Sequence, residues 1–118
     1  MQTYSYPLTP VPKPRMTQRD RWAKRPVVLK YFKFCDELRA MDCELPESGA
    51  KITFQIPMPK TWSKKKRAEM SGQPHRQRPD VDNMLKALQD AVHAEDSHIW
   101  NVEITKLWSD NGSIDITY

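Results

Sequence analysis

Five prolines fall within the first 26 residues of this 118-residue chain, at positions 7, 10, 12, 14 and 26, and they constrain its fold more than any other feature. Proline lacks a backbone donor and fixes φ, so it is excluded from helix interiors and central strands. Residues 4–8 can therefore form a strand only at a sheet edge, followed by an irregular arm. That arm is basic, with Lys13, Arg15, Arg19, Arg21, Lys24 and Arg25 along it. Pro26 suits the first turn of a helix, where a missing N–H costs nothing. Beyond it Val27, Val28, Tyr31, Phe32, Cys35 and Leu38 recur at helical spacing and predict a helix over 27–41.

Pro46 and Gly49 mark a turn over 44–50. Ile52, Phe54, Ile56 and Met58 then alternate with Lys51, Thr53 and Gln55, the period of a half-buried strand, closed by Pro57 and Pro59. Ser63 is placed to cap a short basic helix that Gly72 ends, and 71–79 reads as a polar loop. A helix is predicted over 82–94, a strand over 99–108, a turn at 110–113 carrying the hairpin dipeptide Asn111-Gly112, and a last strand over 114–118. The order is strand, helix, strand, helix, strand, strand. It predicts an α+β (mixed α/β) fold: one small domain over 1–118, a mixed sheet and two main helices.

Hydrophobic residues make up 38% of the chain and charged residues 29%, which allows a modest core in a rather polar domain. No apolar run approaches the ~20 residues of a membrane span. The N-terminus has no basic-then-apolar leader, so a cytoplasmic protein with no membrane partner is expected, and Cys35 and Cys43 are expected to be reduced. The net charge of +4 hides an asymmetry. Residues 1–78 hold 17 Lys/Arg and 7 Asp/Glu, a balance of +10; residues 79–118 hold 2 and 8, a balance of −6. A basic surface feeding an acidic pocket has this pattern; a uniformly basic nucleic-acid binder does not.

The acidic half centres on RPDVDNMLKALQDAV, residues 78–92. On a helical wheel of about 100° per residue, Lys86 falls ~40° from Asp82, Asp90 ~80° and Asn83 ~100°. Met84, Leu85, Leu88, Ala91 and Val92 fall on the opposite side. Pairs from Asp82 to Lys86 and from Lys86 to Asp90 would account for a solvated face, at only ~0.3–0.5 kcal/mol each. However, Asp80 and Asp82 crowd the helix start, and a second acidic pair, Glu95-Asp96, follows the helix and precedes a strand. Such a cluster offers the oxygen ligands that hard divalent cations such as Mg²⁺ prefer. A bound cation would neutralise a scissile phosphate and lower the pKa of an attacking water. Lys86 would offset charge building on the phosphate oxygens, and Asp90 would hold that lysine in place.

This run, followed by EDSHI, resembles the RusA family of Holliday junction resolvases, common in bacteriophages and prophages. The matching residues are Asp80, Asp82 and Asn83, then Lys86, Asp90 and the pair Glu95-Asp96. MPKTWSKKKRAEMSGQPHRQRPD resembles the basic segment of the phage branch, and Pro-Lys-Pro-Arg at 12–15 its basic arm. The resemblance implies a homodimeric Mg²⁺-dependent endonuclease, with Mn²⁺ as a substitute, that nicks four-way junction DNA symmetrically in recombination and repair inside a bacterial or phage-infected cell. It implies Asp80, Asp82 and Asp96 as metal ligands, Lys86 as the fourth catalytic residue, and Asn83, Asp90 and Glu95 as supports. Glu95 departs from the family, where Asp is common, which puts the ligand of that pair at Asp96.

Lys64, Lys65, Lys66 and Arg67, with Lys13, Arg15, Arg76 and Arg78, are the candidate DNA-phosphate contacts. Trp62 and Trp22 could stack on bases or simply pack. His75, in the polar loop, is expected to be exposed, and the His and Cys spacings match no zinc site. Two alternatives stand beside the resolvase: a non-catalytic basic nucleic-acid-binding phage regulator, and a nuclease selective for flaps or forks.

Overall fold

The computed structural model describes residues 1–21, 24–92 and 98–118. Its elements run β1 (Thr3–Tyr6), α1 (Pro26–Ala40), β2 (Ala50–Pro57), α2 (Lys64–Met70), α3 (Val81–Val92), β3 (Val102–Ser109) and β4 (Ser113–Thr117). A 3-10 turn at Gln18–Arg21 precedes α1. The four strands form one sheet in the order β1-β4-β2-β3. β4 is antiparallel to both its neighbours, and β2 and β3 are parallel, so the sheet is mixed and the class α+β as the sequence predicts.

Period two aims the sheet. Ala50, Ile52 and Phe54 of β2 are in register with Val102, Ile104 and Lys106 of β3, and Ile52 and Phe54 with Ile116 and Ile114 of β4. Onto this face pack Tyr31, Phe34, Cys35 and Leu38 of α1 and Met84, Ala87, Leu88 and Ala91 of α3. Met84 and Leu88 are 1% and 0% exposed. Burying each stabilises the fold by roughly 1.5–3 kcal/mol. Lys51, Thr53, Gln55, Thr105, Asp115 and Thr117 alternate onto the other, polar face. Of the apolar residues that predict α1, Val27 and Phe32 stay exposed. Cys35 and Cys43 are separate, buried thiols.

Two expectations are overturned. Asn111-Gly112 does not close a hairpin, because β2 lies between β3 and β4. The alternating apolar pattern of β2 pairs on both sides, so the chain must cross its end. Gly112 is required by space: a Cβ there would lie 2.6 Å from the Cα of Thr9. The loop after α2 is also less free than its polarity predicts. Gly72 N–H donates to the Trp108 carbonyl (2.8 Å), Trp108 N–H to Gln73 (2.9 Å) and His75 N–H to Lys106 (3.0 Å), covering the outer edge of β3.

Candidate active site

The helix α3 presents the acidic motif. Met84 N–H donates to the Asp80 carbonyl at 3.2 Å, so the hydrogen-bond ladder begins at Asp80 and Asp82 falls in the first turn. A helix start carries exposed N–H groups and a positive dipole end, which favours carboxylates there. Both Asp80 and Asp82 are exposed, as is Lys86 one turn on. Among the described residues, none of the three forms an ion pair.

The arm lies along this helix. Val11 is buried in the core, and Lys13 N–H donates to the Asn83 carbonyl at 3.2 Å. Asp90, expected to steady Lys86, turns its carboxylate to other elements instead. Lys13 Nζ lies 2.8 Å from Asp90 Oδ2, and the Tyr31 hydroxyl donates to the same oxygen at 2.5 Å. A buried phenol needs an acceptor, and this outweighs an exposed pair of Lys86 and Asp90 within one helix. Burial pushes the Asp90 carboxyl up, but Lys13, Tyr31 and Arg39 together hold it below its ordinary range. Burial and then the Asp90 bond push the Tyr31 phenol far up. Arg39 Nε and Nη2 donate to the carbonyls of Ala91 and Asp90 (3.0 and 2.9 Å), satisfying acceptors at the end of α3.

Two adjoining recesses result. One of about 540 Å³ is lined by Pro12, Lys13, Arg78, Pro79, Asp80 and Asn83. The other, of about 430 Å³, is lined by Lys13, Pro14, Arg15, Asn83, Lys86 and Asp90. They share Lys13 and Asn83, so the basic arm forms one wall of a groove and the acidic helix the other. Glu95, Asp96 and Trp22 lie outside the described residues. Among those described, no three His, Cys, Asp or Glu side chains group as metal ligands. Asp80 and Asp82, in no ion pair among the described residues, supply two hard oxygen donors, a donor set that fits a divalent metal completed by water and a further carboxylate.

The other predicted DNA contacts differ among themselves. Ser63 caps α2 through a bond from Lys66 N–H (3.2 Å), as its sequence predicts. Lys64 and Lys65 are exposed, and neither side chain has a partner among the described residues. Lys66 lies over the Trp62 ring at 4.3 Å. Arg67 donates to the Pro59 carbonyl at 3.2 Å and lies 3.7 Å from Asp110. Trp62 packs, its ring 4.9 Å from that of Trp108. Arg76 is exposed on the loop, and Arg78 lines the Asp80 recess. His75 is not exposed as expected: it is 6% accessible, because the backbone pairing along β3 lays its ring 4.3 Å from Trp108.

Sequence reasoning missed Tyr31, read only as an apolar position, and Lys106. The Lys106 ammonium donates to the carbonyls of Gln77 (2.8 Å) and Pro79 (2.7 Å), which flank Arg78 and lead into Asp80. A signal existed: Lys106 is the one charged residue in the alternating row Val102, Ile104, Lys106, Trp108.

Compared with known families, residues 7–117 match the family model described as Endodeoxyribonuclease RusA. No curated protein matches the sequence.

Proposed function

The chain belongs to the RusA family of endodeoxyribonucleases, and from that premise we propose that it resolves four-way DNA junctions by metal-dependent cleavage in the groove between the arm and α3. The observation that carries this reading is the pair of exposed carboxylates, Asp80 and Asp82, at the start of a helix whose flank is walled by the basic arm. Asp80 and Asp82, with Asp96, would hold Mg²⁺ or Mn²⁺. A divalent metal held there would supply charge neutralisation at the scissile phosphate and would lower the pKa of a nearby water.

The chain's own residues bind and orient the strand. Lys86 reaches the groove one turn beyond Asp82 and faces the charge that accumulates on the phosphate oxygens in the transition state. Asp90, held by Tyr31, fixes Lys13 and so the position of the arm. Arg15 and Arg78 line the same recesses and steer the backbone into them. Lys64, Lys65 and Arg76 extend the cationic surface, adding affinity without reading sequence. A twofold homodimer would present two such grooves to symmetry-related strands of a junction, which gives paired nicks. Such cleavage serves recombination and repair.

The deciding experiment is cleavage of a synthetic mobile four-way junction, a flap and a linear duplex, with Mg²⁺, with Mn²⁺ and with chelator. Junction-selective cleavage that needs metal and is lost in Asp82→Asn is expected. Equal cutting of the flap would move the substrate away from junctions, and binding without metal-dependent cleavage would leave a non-catalytic DNA-binding protein.

A further inference from the structure

Lys106 sits where the sheet calls for an apolar side chain. Its register partner on β2 is Phe54, and its neighbours in the same β3 row are Ile104 and Trp108. A lysine there must find acceptors or lose solvation without compensation. Both acceptors it finds belong to one short stretch, the carbonyls of Gln77 and Pro79. No carboxylate lies within ion-pair distance of it among the described residues. The lysine thus joins the sheet to the two residues on either side of Arg78, and the second of them immediately precedes Asp80. The other end of this stretch is anchored as well, since His75 N–H donates to the Lys106 carbonyl at 3.0 Å. One residue of β3 therefore grips the loop at three points, twice by its side chain and once by its backbone.

We propose that Lys106 is a positioning residue for the acidic site: by holding the carbonyls of Gln77 and Pro79 it fixes the turn from which Asp80 enters α3, and with it the direction of the Asp80 carboxylate. The role rests on the reading of Asp80 and Asp82 as metal ligands. It differs from that of Lys86, which faces the substrate in the groove, whereas Lys106 acts through backbone that it never shares with DNA.

Lys106→Met keeps the stem and deletes the ammonium. The change leaves the carbonyls of Gln77 and Pro79 without this donor, but the first contact is exposed and open to water and the position lies in an apolar row that suits methionine, so the variant should still unfold cooperatively, at a midpoint only slightly below wild type. Mn²⁺ binding to the DNA-free protein, read by electron paramagnetic resonance, should weaken about 10-fold or more, and single-turnover junction cleavage should slow by a similar factor. The sign of the metal effect separates two roles. Removing a cation near carboxylates tightens Mn²⁺ binding if charge alone matters; a misdirected Asp80 loosens it. Tighter Mn²⁺ binding, or wild-type affinity and rate, would overturn the proposal. If Lys106→Met fails to melt cooperatively, Lys106→Ile, a strand former suited to this row, takes the same measurements. Failure of both to fold would make Lys106 a residue of the core and also overturn the proposal. Asp82→Asn runs in parallel. Retained Mn²⁺ binding and cleavage there would refute the metal-site reading itself, whereas loss there beside wild-type behaviour of Lys106→Met would refute only the positioning role.

Discussion

Lys13 and Asp90 form a 2.8 Å ion pair that pins the proline-rich arm to the third turn of α3, with the Tyr31 hydroxyl on the same carboxylate oxygen. The pair is a third to two-fifths exposed, so its own contribution is that of a surface pair, about 0.2–1 kcal/mol. Tyr31 is different: it is 4% exposed, and an orphaned hydroxyl there costs about 1–3 kcal/mol. Asp90→Ala should therefore lower urea stability by about 1–3 kcal/mol, and Lys13→Met by less than about 1 kcal/mol. Equal losses in the two variants would mean that the arm, not the phenol, is what Asp90 supports.

The basic run divides by what each side chain already touches. Lys64 and Lys65 extend into solvent, while Arg67 ties α2 to Pro59 and Asp110. Lys64→Gln and Lys65→Gln should each flatten the salt dependence of log K for junction binding by about 0.9. Arg67→Gln should instead lower the thermal midpoint and leave the slope nearly unchanged. A full unit of slope lost in Arg67→Gln would return that residue to the DNA interface.

Patterns confined to one element were legible in the sequence. The alternation of residues 51–58 set which face of β2 is buried, and the two faces of α3 follow from its 3.6 period. What was not legible depends on neighbours brought from elsewhere. The parallel pairing of β2 with β3 displaces the hairpin that Asn111-Gly112 suggests. A helical wheel offers Asp90 only Lys86, while the fold offers it Lys13 and Tyr31, 77 and 59 positions away. His75 reads as loop because its burial depends on a backbone pairing that has no local signature. Asp96, the ligand that the resemblance implies, falls outside the described residues.

Asp20 gives the fold a testable acid sensitivity. It is 5% exposed and accepts from Arg25 Nε (3.0 Å) and Nη2 (2.9 Å) and from the Thr17 amide (2.9 Å). Arg25 foremost, then the Thr17 amide, holds its carboxyl well below the ordinary range. A carboxyl whose pKa is lower in the folded state binds fewer protons there than in the unfolded chain. Its stabilisation is therefore complete above the unfolded value of about 3.9 and is lost as pH falls below it toward the folded value. Asp20→Asn should lower the denaturation midpoint at pH 7, and the gap from wild type should narrow steadily below about pH 4. A gap of constant size down to pH 3 would show that shape, not charge, makes this contact.

Lys86 carries the sharpest prediction about the chemistry. It lines the recess with Lys13, Arg15 and Asn83, yet no ion pair holds it to Asp82 or Asp90 among the described residues. An exposed lysine without a partner contributes little to stability, so Lys86→Met, which keeps most of the stem, should melt as wild type does. Junction affinity should fall by no more than one phosphate contact is worth, since Arg15 and Arg78 remain in the groove. The chemical step should slow by about 100-fold or more, the order observed when one preorganised donor to a developing oxyanion is removed. Single-turnover cleavage with junction saturated by enzyme isolates that step from binding and product release. Because Asp90 is engaged by Lys13 and Tyr31, a loss of rate in Lys86→Met cannot be traced to a freed Asp90 carboxylate. A rate within a few-fold of wild type would make Lys86 a solvated surface residue and leave stabilisation of the phosphate charge to the metal and the arm.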